Sequence, residues 1–413
     1  MGCRVCVADE ALTPLVRARQ LVDKLMNGVL RDEGYDLVLV GGGLHSGLIA
    51  LCALHSDPMC RIAIVEAAAA LGGNHTWCVH ARDVPERAKA WFEPLVVSRW
   101  PAYTVHFTQQ ERALSSAYAY VSSERFARVV EEAPAQRAHC AVIKGRRAVE
   151  VSALRVQLED GRQLRGRQVV DARGPLPSAY AGRCGYQKFV GQELELRAAH
   201  GLAHPIMMDA RCAQHDGYRF FYVLPLSSTR LLVEETRFSL TSGLSLAAGR
   251  AEVQAYAARF GQLAQVVREE AGVLPMPWSM ELPTPGADRP RVAGYRGGFF
   301  HPATGYSLPV AVRFAESLCQ QLFKGDPSAL PRFLHEHRSQ ATFALQLNRL
   351  LFTGFAETDM WGVLARFYRL SEPLIERFYA LSSTTSDRLR ILGGRPPRGF
   401  SLARALRATL GAS

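Results

Sequence analysis

The chain has 413 residues, 48% of them apolar, enough for two domains or one large α/β domain with a sizeable core. Its net charge of +11 favours anionic partners and is uneven, with nine arginines against three acids (Glu372, Glu376, Asp387) in residues 361–413. Nine cysteines, odd in number and widely spaced, make no disulfide framework and suit a reducing compartment; the one Cys-x-x-Cys, at Cys3 and Cys6, has no second pair to complete a metal site.

Residues 1–33 read as an N-terminal extension, helical or disordered. Thr13-Pro14 is a helix start, and Leu15, Ala18, Val22, Leu25 and Val29 recur at helical spacing. No uninterrupted apolar core of a secretory signal precedes them. Tyr35 to Glu66 parses as strand, glycine turn, helix, strand and acid. Leu37–Val40 enters Gly41-Gly42-Gly43, Leu48–Leu54 keeps helical spacing, and Arg61–Val65 ends on Glu66. That layout suits a dinucleotide. Glycines let the backbone approach a pyrophosphate, the helix N-terminus presents free N–H groups, and the acid meets a ribose hydroxyl. The third glycine position of the fingerprint is Ser46, with Gly47 one place later. Leu37–Ser56 carries no formal charge over 20 residues, but the glycines, His45 and Ser46 argue against a membrane span.

Further along, a helix is expected near Glu124–Glu132. Val149–Leu164 reads as a hairpin around Asp160-Gly161, and Val169–Gly174 as a strand running into a turn. Residues 190–240 read as β-rich, with Tyr218–Leu226 and Thr229–Thr236 as neighbouring strands. Residues 249–270 read as helix and 272–290 as a proline-rich connector. Phe299–Pro309 is a second glycine turn before an amphipathic helix, Val310–Phe323. The remainder is helical, basic and aromatic, and Pro373 separates Arg366–Leu370 from its near-repeat Arg377–Leu381.

Three segments carry a specific resemblance: Gly72-Gly73-Asn74-His75-Thr76-Trp77, Pro225 to Thr236 (PLSSTRLLVEET), and His301 to Pro309 (HPATGYSLP). With the βαβ unit they resemble the bacterial lycopene β-cyclases, flavoproteins of carotenoid biosynthesis, collinearly from about Tyr35 to about Arg395. The resemblance implies an FAD-binding Rossmann-like α/β domain of the glutathione-reductase/hydroxylase type, discontinuous over 34–190 and 291–325. A β-rich substrate domain would span 191–290, and a helical, basic, membrane-facing region 326–413. It implies Gly41, Gly43 and Glu66 at the ADP half, Arg125 at the pyrophosphate, Asp171 and Gly174 in a D-x-R-G turn, and Gly305 at the flavin. Ala172 stands where that turn usually has glycine.

The reaction implied is an isomerisation of lycopene through γ-carotene to β-carotene. An acid protonates C2, a cation forms at C1, the C5–C6 double bond closes the ring, and C6 loses a proton. The family does this with reduced FAD, kept reduced by NAD(P)H and not consumed. The acid must be protonated at rest, so a carboxyl in an apolar pocket is apt, and water must be kept from the cation. Glu234 and Glu235 are the candidate acids. On a strand they face opposite ways, and the sequence leaves open which faces inward; Glu234 is taken as donor and Glu235 as support. Glu193 and Asp209 are weaker candidates for polar groups in the cavity. No metal is expected.

Lycopene and other acyclic carotenoids would come from a bilayer. Trp361, Phe367, Tyr368, Phe378 and Tyr379 are expected at headgroup level, placing the protein peripherally on the cytoplasmic side. No nucleic-acid module accompanies the charge. Two alternatives remain: an FAD-dependent monooxygenase acting on an isoprenoid, and a non-catalytic carotenoid-binding flavoprotein.

Overall fold

The computed structural model describes residues 34–175, 183–280, 286, 288–393, 399–401 and 403. The Thr13-Pro14 helix and the Cys3/Cys6 pair lie outside them.

Strand Tyr35–Val40 is central to a seven-stranded sheet. Strands Ile62–Val65 and Gln163–Asp171 flank it in parallel, with Ala141–Ile143 parallel on the outside. The tight turn after Val40 leads into helix Leu44–Ser56, buried at every position from Leu44 to Leu54. Helices Ser123–Ala135 and Leu308–Phe323 pack on it. A helix enclosed on all sides carries apolar residues all round, which explains the uncharged run Leu37–Ser56 without a membrane. Gly47 is the close-packing glycine: a Cβ there would overlap the Phe126 ring of helix Ser123–Ala135. The sheet's other face packs Val38, Val40 and Val65 with Val156, Leu158 and Val169. These belong to a meander, Ala148–Val151, Arg155–Leu158 and Gln163–Asp171, turned at Gly161 with φ +87°.

A second seven-stranded sheet runs in the order Leu263–Pro277, Cys184–Leu196, Arg230–Ser239, Tyr218–Pro225, Ile206–Asp209, Tyr103–Phe107, Gln110–Leu114. A three-stranded sheet, Thr76–His80, Tyr118–Ser122 and Ser98–Trp100, lies beside it in the chain. The helix expected over 249–270 is shorter. It spans Leu246–Ala257, continues as a 3₁₀ turn to Phe260, and stops at Gly261, whose φ is +144°. Residues 263–277 are a strand, not helix followed by connector. It is an edge strand, where half the N–H groups face away from any partner, so Pro275 and Pro277 are tolerated.

Helices Ala329–Gly354, Met360–Phe367, Glu372–Tyr379 and Thr385–Leu392 follow. Their aromatics do not form an outward belt. Tyr368 is fully buried, Phe367 nearly so, and Trp361, Phe378 and Tyr379 are half-buried against the same core as Tyr218, Phe220 and Phe238. The apolar rings are drawn to that interior surface, while Arg369 bonds Gln110 and Arg377 pairs with Asp387. No helix among the described residues is long and apolar enough to cross a membrane.

Candidate active site

One cavity of about 1240 Å³ runs from the Gly41 turn, past the second sheet, to the C-terminal helices. At the first end two helix N-termini open on it. Helix Leu44–Ser56 begins at Gly43 and helix Leu308–Phe323 at Ser307; neither has a side-chain cap or an acid in its first turn. Their N–H groups stay available to an anion. Gly41 has φ +98°, and a Cβ there would lie 2.9 Å from the Ala172 carbonyl oxygen. Nothing lies within 4 Å of a Cβ built on Gly43 or Gly174, so both open onto space. Ala172 is not among the residues of positive φ, so the D-x-R-G turn needs no glycine there.

Glu66 is held by the backbone N–H of Gly42 at 2.5 Å and of Ala68 at 2.7 Å. His45, in the first helical turn, is pushed down to about 3 by burial first and then by His337. It is neutral and adds no charge. Gly305, φ +69°, sits against Gln187 and Leu274, and Tyr295 donates to its carbonyl at 2.7 Å.

Two residues expected here sit differently. Asp171 is buried beneath the turn, where Arg173 (2.7 Å) and Arg296 (3.5 Å) pair with it. Arg125 donates its backbone N–H to the capping Ser122 hydroxyl at 3.1 Å and its Nε to the Pro94 carbonyl at 2.7 Å, outside the main cavity. Arginines that do line the cavity include Arg146, Arg147, Arg173 and Arg296.

In the middle, the second sheet supplies the wall. Strand Arg230–Ser239 pairs residue for residue with Tyr218–Pro225 and Cys184–Leu196. Side chains in register share a face, so Phe220, Tyr222, Phe189 and Phe238 line the cavity with Glu234. Glu234 is half-buried with its open side toward the cavity. It accepts from the Thr236 hydroxyl at 2.5 Å and has no ion pair among the described residues. Burial, then the charge of Glu270, then that of Glu235 push its carboxyl up to about 8 against the Thr236 hydrogen bond. Glu235 faces the opposite way. It is 2% exposed and bonded by Arg219 Nε at 2.5 Å and Arg237 Nε at 2.6 Å. Asp209 is also behind the sheet, tied to Arg211 and Tyr256, and Glu193 pairs with Arg230 and Arg268. A cavity wall of aromatics around one protonated carboxyl can deliver a proton to an apolar substrate.

The family model described as lycopene cyclase protein matches residues 36–405. The chain belongs to the lycopene cyclase family. Among its relatives, a lycopene beta-cyclase from Pantoea ananas is 43% identical over 370 residues, 88% of this chain and 95% of the relative. One from Pseudescherichia vulneris is 41% identical over 383 residues, 91% and 97% of the two chains. Among solved structures, p-nitrophenol 4-monooxygenase from Pseudomonas putida aligns with a TM-score of 0.59 at 14% identity, over 88% of this chain and all of that one. That likeness establishes the fold, which a probable FAD-dependent monooxygenase from Pseudomonas aeruginosa also shares, with a TM-score of 0.57 at 17% identity over 81% of this chain and all of that one.

Sequence reasoning missed several groups in this chain. Glu270 is hidden by the false helix over 249–270. Asp83 is buried and pushed up to about 7 by burial, against hydrogen bonds from Tyr306 (2.6 Å) and the His80 N–H (2.7 Å). Tyr306 lies inside a quoted motif, but its partner Asp83 comes from a stretch without periodicity. Among the described residues no cluster of His, Cys, Asp or Glu could hold a metal.

Proposed function

We propose that this family member is a lycopene β-cyclase, an isomerase that forms the β-rings of β-carotene by way of γ-carotene, with Glu234 as the proton donor. The observation that carries the reading is the setting of Glu234: it has no ion pair among the described residues, burial and the Glu270 charge push its carboxyl up to about 8, and aromatic side chains line the cavity with it. FAD fits the first end of the cavity. Gly41, Gly43 and Gly174 leave room there, two uncapped helix N-termini offer N–H groups to the pyrophosphate, and Glu66 suits the ribose. When bound and reduced at the expense of NAD(P)H, FAD supplies negative charge near the developing cation without net redox change.

The chain's own residues do the rest. Glu234 Oε–H donates to C2 of the terminal isoprenoid unit. The C1 cation is closed on by the C5–C6 double bond within walls that exclude water and present ring faces from Phe189, Phe220 and Phe238. The Glu234 carboxylate then takes the proton lost from C6, and the C–H pair becomes the ring double bond. Glu235, locked to two arginines on the far face, holds the strand.

The cavity's other end is lined by Leu347, Leu351, Leu364, Ile391 and Leu392, with Arg366 and Arg390 among them. Leu389 and Leu392 are exposed beside it, at 68% and 52%. We place the bilayer there: apolar tips enter the acyl boundary and arginines meet anionic headgroups on the cytoplasmic leaflet, so an acyclic carotenoid passes from lipid to the wall.

The shared fold would favour a second reading, an FAD-dependent monooxygenase. Expression in lycopene-accumulating bacteria, followed by anaerobic turnover of membranes with reduced flavin, separates the two. The cyclase reading expects β-carotene without O₂ and without stoichiometric NAD(P)H loss. An oxygenated product, or strict O₂ dependence, overturns it.

A further inference from the structure

Resting on the cyclase reading, one further residue follows from the strand register. Tyr222, Glu234, Gly191 and Glu270 stand in a single row across four adjacent strands. Residues in register share a face, and Gly191 contributes no side chain between the two glutamates. A Cβ at Gly191 would lie 3.2 Å from Glu270 Cγ and 3.4 Å from Glu234 Cβ, so the two carboxylic side chains close over the space that the glycine leaves. Glu270 is 4% exposed. Its Oε2 accepts from Arg268 Nη1 at 2.9 Å and Thr76 Oγ1 at 3.1 Å. Arg268 is anchored in turn by Asn74 Oδ1 at 2.8 Å and Thr76 Oγ1 at 2.7 Å, both from the Gly72–Trp77 motif. Among the described residues Glu234 has only the Thr236 hydroxyl.

We propose that Glu234 and Glu270 form an unequal carboxyl pair across Gly191, in which Glu270 carries the charge and Glu234 carries the proton. Two like charges across a glycine in a buried row are unfavourable, so one carboxyl stays protonated. Arg268 decides which. The other groups facing Glu234 do not reverse this. Tyr222 on the opposite side is bound to Cys78 (2.9 Å) and Tyr118 (3.1 Å), and burial holds all three in their neutral forms. Glu235, behind the sheet, is matched by Arg219 and Arg237. Glu193 and Glu124 approach Arg268 at 3.4 and 4.0 Å and share its charge with Glu270. Burial raises Glu270, and Arg268 opposes that rise.

Glu270 is thus a positioning residue that acts through Glu234. When the Glu234 O–H bond breaks and C2–H forms, a second carboxylate appears beside the first. Their repulsion favours the return step, in which the C6–H bond breaks, its electron pair becomes the C5–C6 double bond and the proton goes back to Glu234. No net proton is consumed.

The test is the pH–rate profile of membrane-bound enzyme on lycopene for wild type, Glu270→Gln and Glu270→Asp. In Glu270→Gln the alkaline limb moves down by about one pH unit, an about tenfold loss of rate on the alkaline side, while KM changes little. Glu270→Asp keeps the limb near the wild-type position. An unmoved limb in Glu270→Gln, or an equal shift in Glu270→Asp, overturns the pair. Should Glu270→Gln not fold, infrared difference spectra of wild type minus Glu234→Gln serve instead, because Asp83 cancels in them. They should show one protonated carboxyl at neutral pH that ionises near pH 8; its absence overturns the pair. If wild type makes no cyclised product at all, the cyclase reading fails rather than the pair, whose infrared signature stands independently.

Discussion

On one face of the second sheet Glu235 sits between Arg219 and Arg237, fully paired and out of reach of the cavity. On the other face, one residue earlier, Glu234 has a hydroxyl, aromatic rings and a second carboxyl for neighbours, and keeps its proton. The same side chain on the same strand is locked or open according to whether a cation is within reach. What the comparison teaches is that the strand's period of two, not the acid's identity, separates a carboxyl tied to arginines from one facing the cavity.

The largest expected effect follows from the cavity face. Glu234→Gln keeps the shape and removes the proton, so cyclisation should fall by about 10³-fold or more, with flavin absorbance of the purified protein unchanged. Near-normal turnover in that variant breaks the comparison. On the opposite face, Glu235→Ala takes from buried Arg219 one of its two carboxylate partners among the described residues and leaves Glu252, at 2.6 Å. Chemical denaturation should show a loss of about 3 kcal/mol, while the rate per folded, flavin-bearing molecule stays within a few-fold of wild type.

A smaller effect is a matter of pH. Glu234's folded pKa of about 8 lies above its ordinary 4.5, so stability present at low pH is lost as pH rises from about 4.5 to about 8. Asp83, at about 7, adds to the loss in much the same window. Denaturation midpoints measured across that range should slope downward for wild type and less steeply for Glu234→Gln. The rate of wild type should also decline above about pH 8, as the acid ionises. Smallest is Gly47→Ala, remote from both faces: the Phe126 clash should lower stability by about 1–3 kcal/mol with little effect on rate per folded molecule. At the cavity's far end, where the bilayer is proposed, Leu389→Glu with Leu392→Glu should reduce co-sedimentation with anionic vesicles and leave turnover of detergent-solubilised lycopene intact.

Much of this was legible in the sequence where the determinants are local. Strand, glycine turn, helix and acid from Tyr35 to Glu66 lie within one stretch, and each carries its own signal. The facing of Glu234 was not legible, because the Arg230–Ser239 strand is covered on both sides. Leu231 and Val233 sit on one face and Leu232 and Phe238 on the other, all buried, so alternation points nowhere. Glu270 was hidden because an edge strand with charged residues and prolines imitates a helix end and a connector. The C-terminal aromatics looked like a membrane belt because arginines alternate with them; only the tertiary packing shows the rings turned inward. Arg125 illustrates the reverse: its place in a helix start is local and clear, yet the side chain's partner, the Pro94 carbonyl, is set by a loop 31 residues earlier.

The most direct measurement is the initial cyclisation rate of purified Glu234→Gln and Glu235→Gln, each normalised to bound flavin and assayed side by side on lycopene in vesicles. The account predicts that Glu235→Gln turns over within a few-fold of wild type and Glu234→Gln not measurably. Activity retained by Glu234→Gln and abolished in a folded, flavin-bearing Glu235→Gln would contradict it.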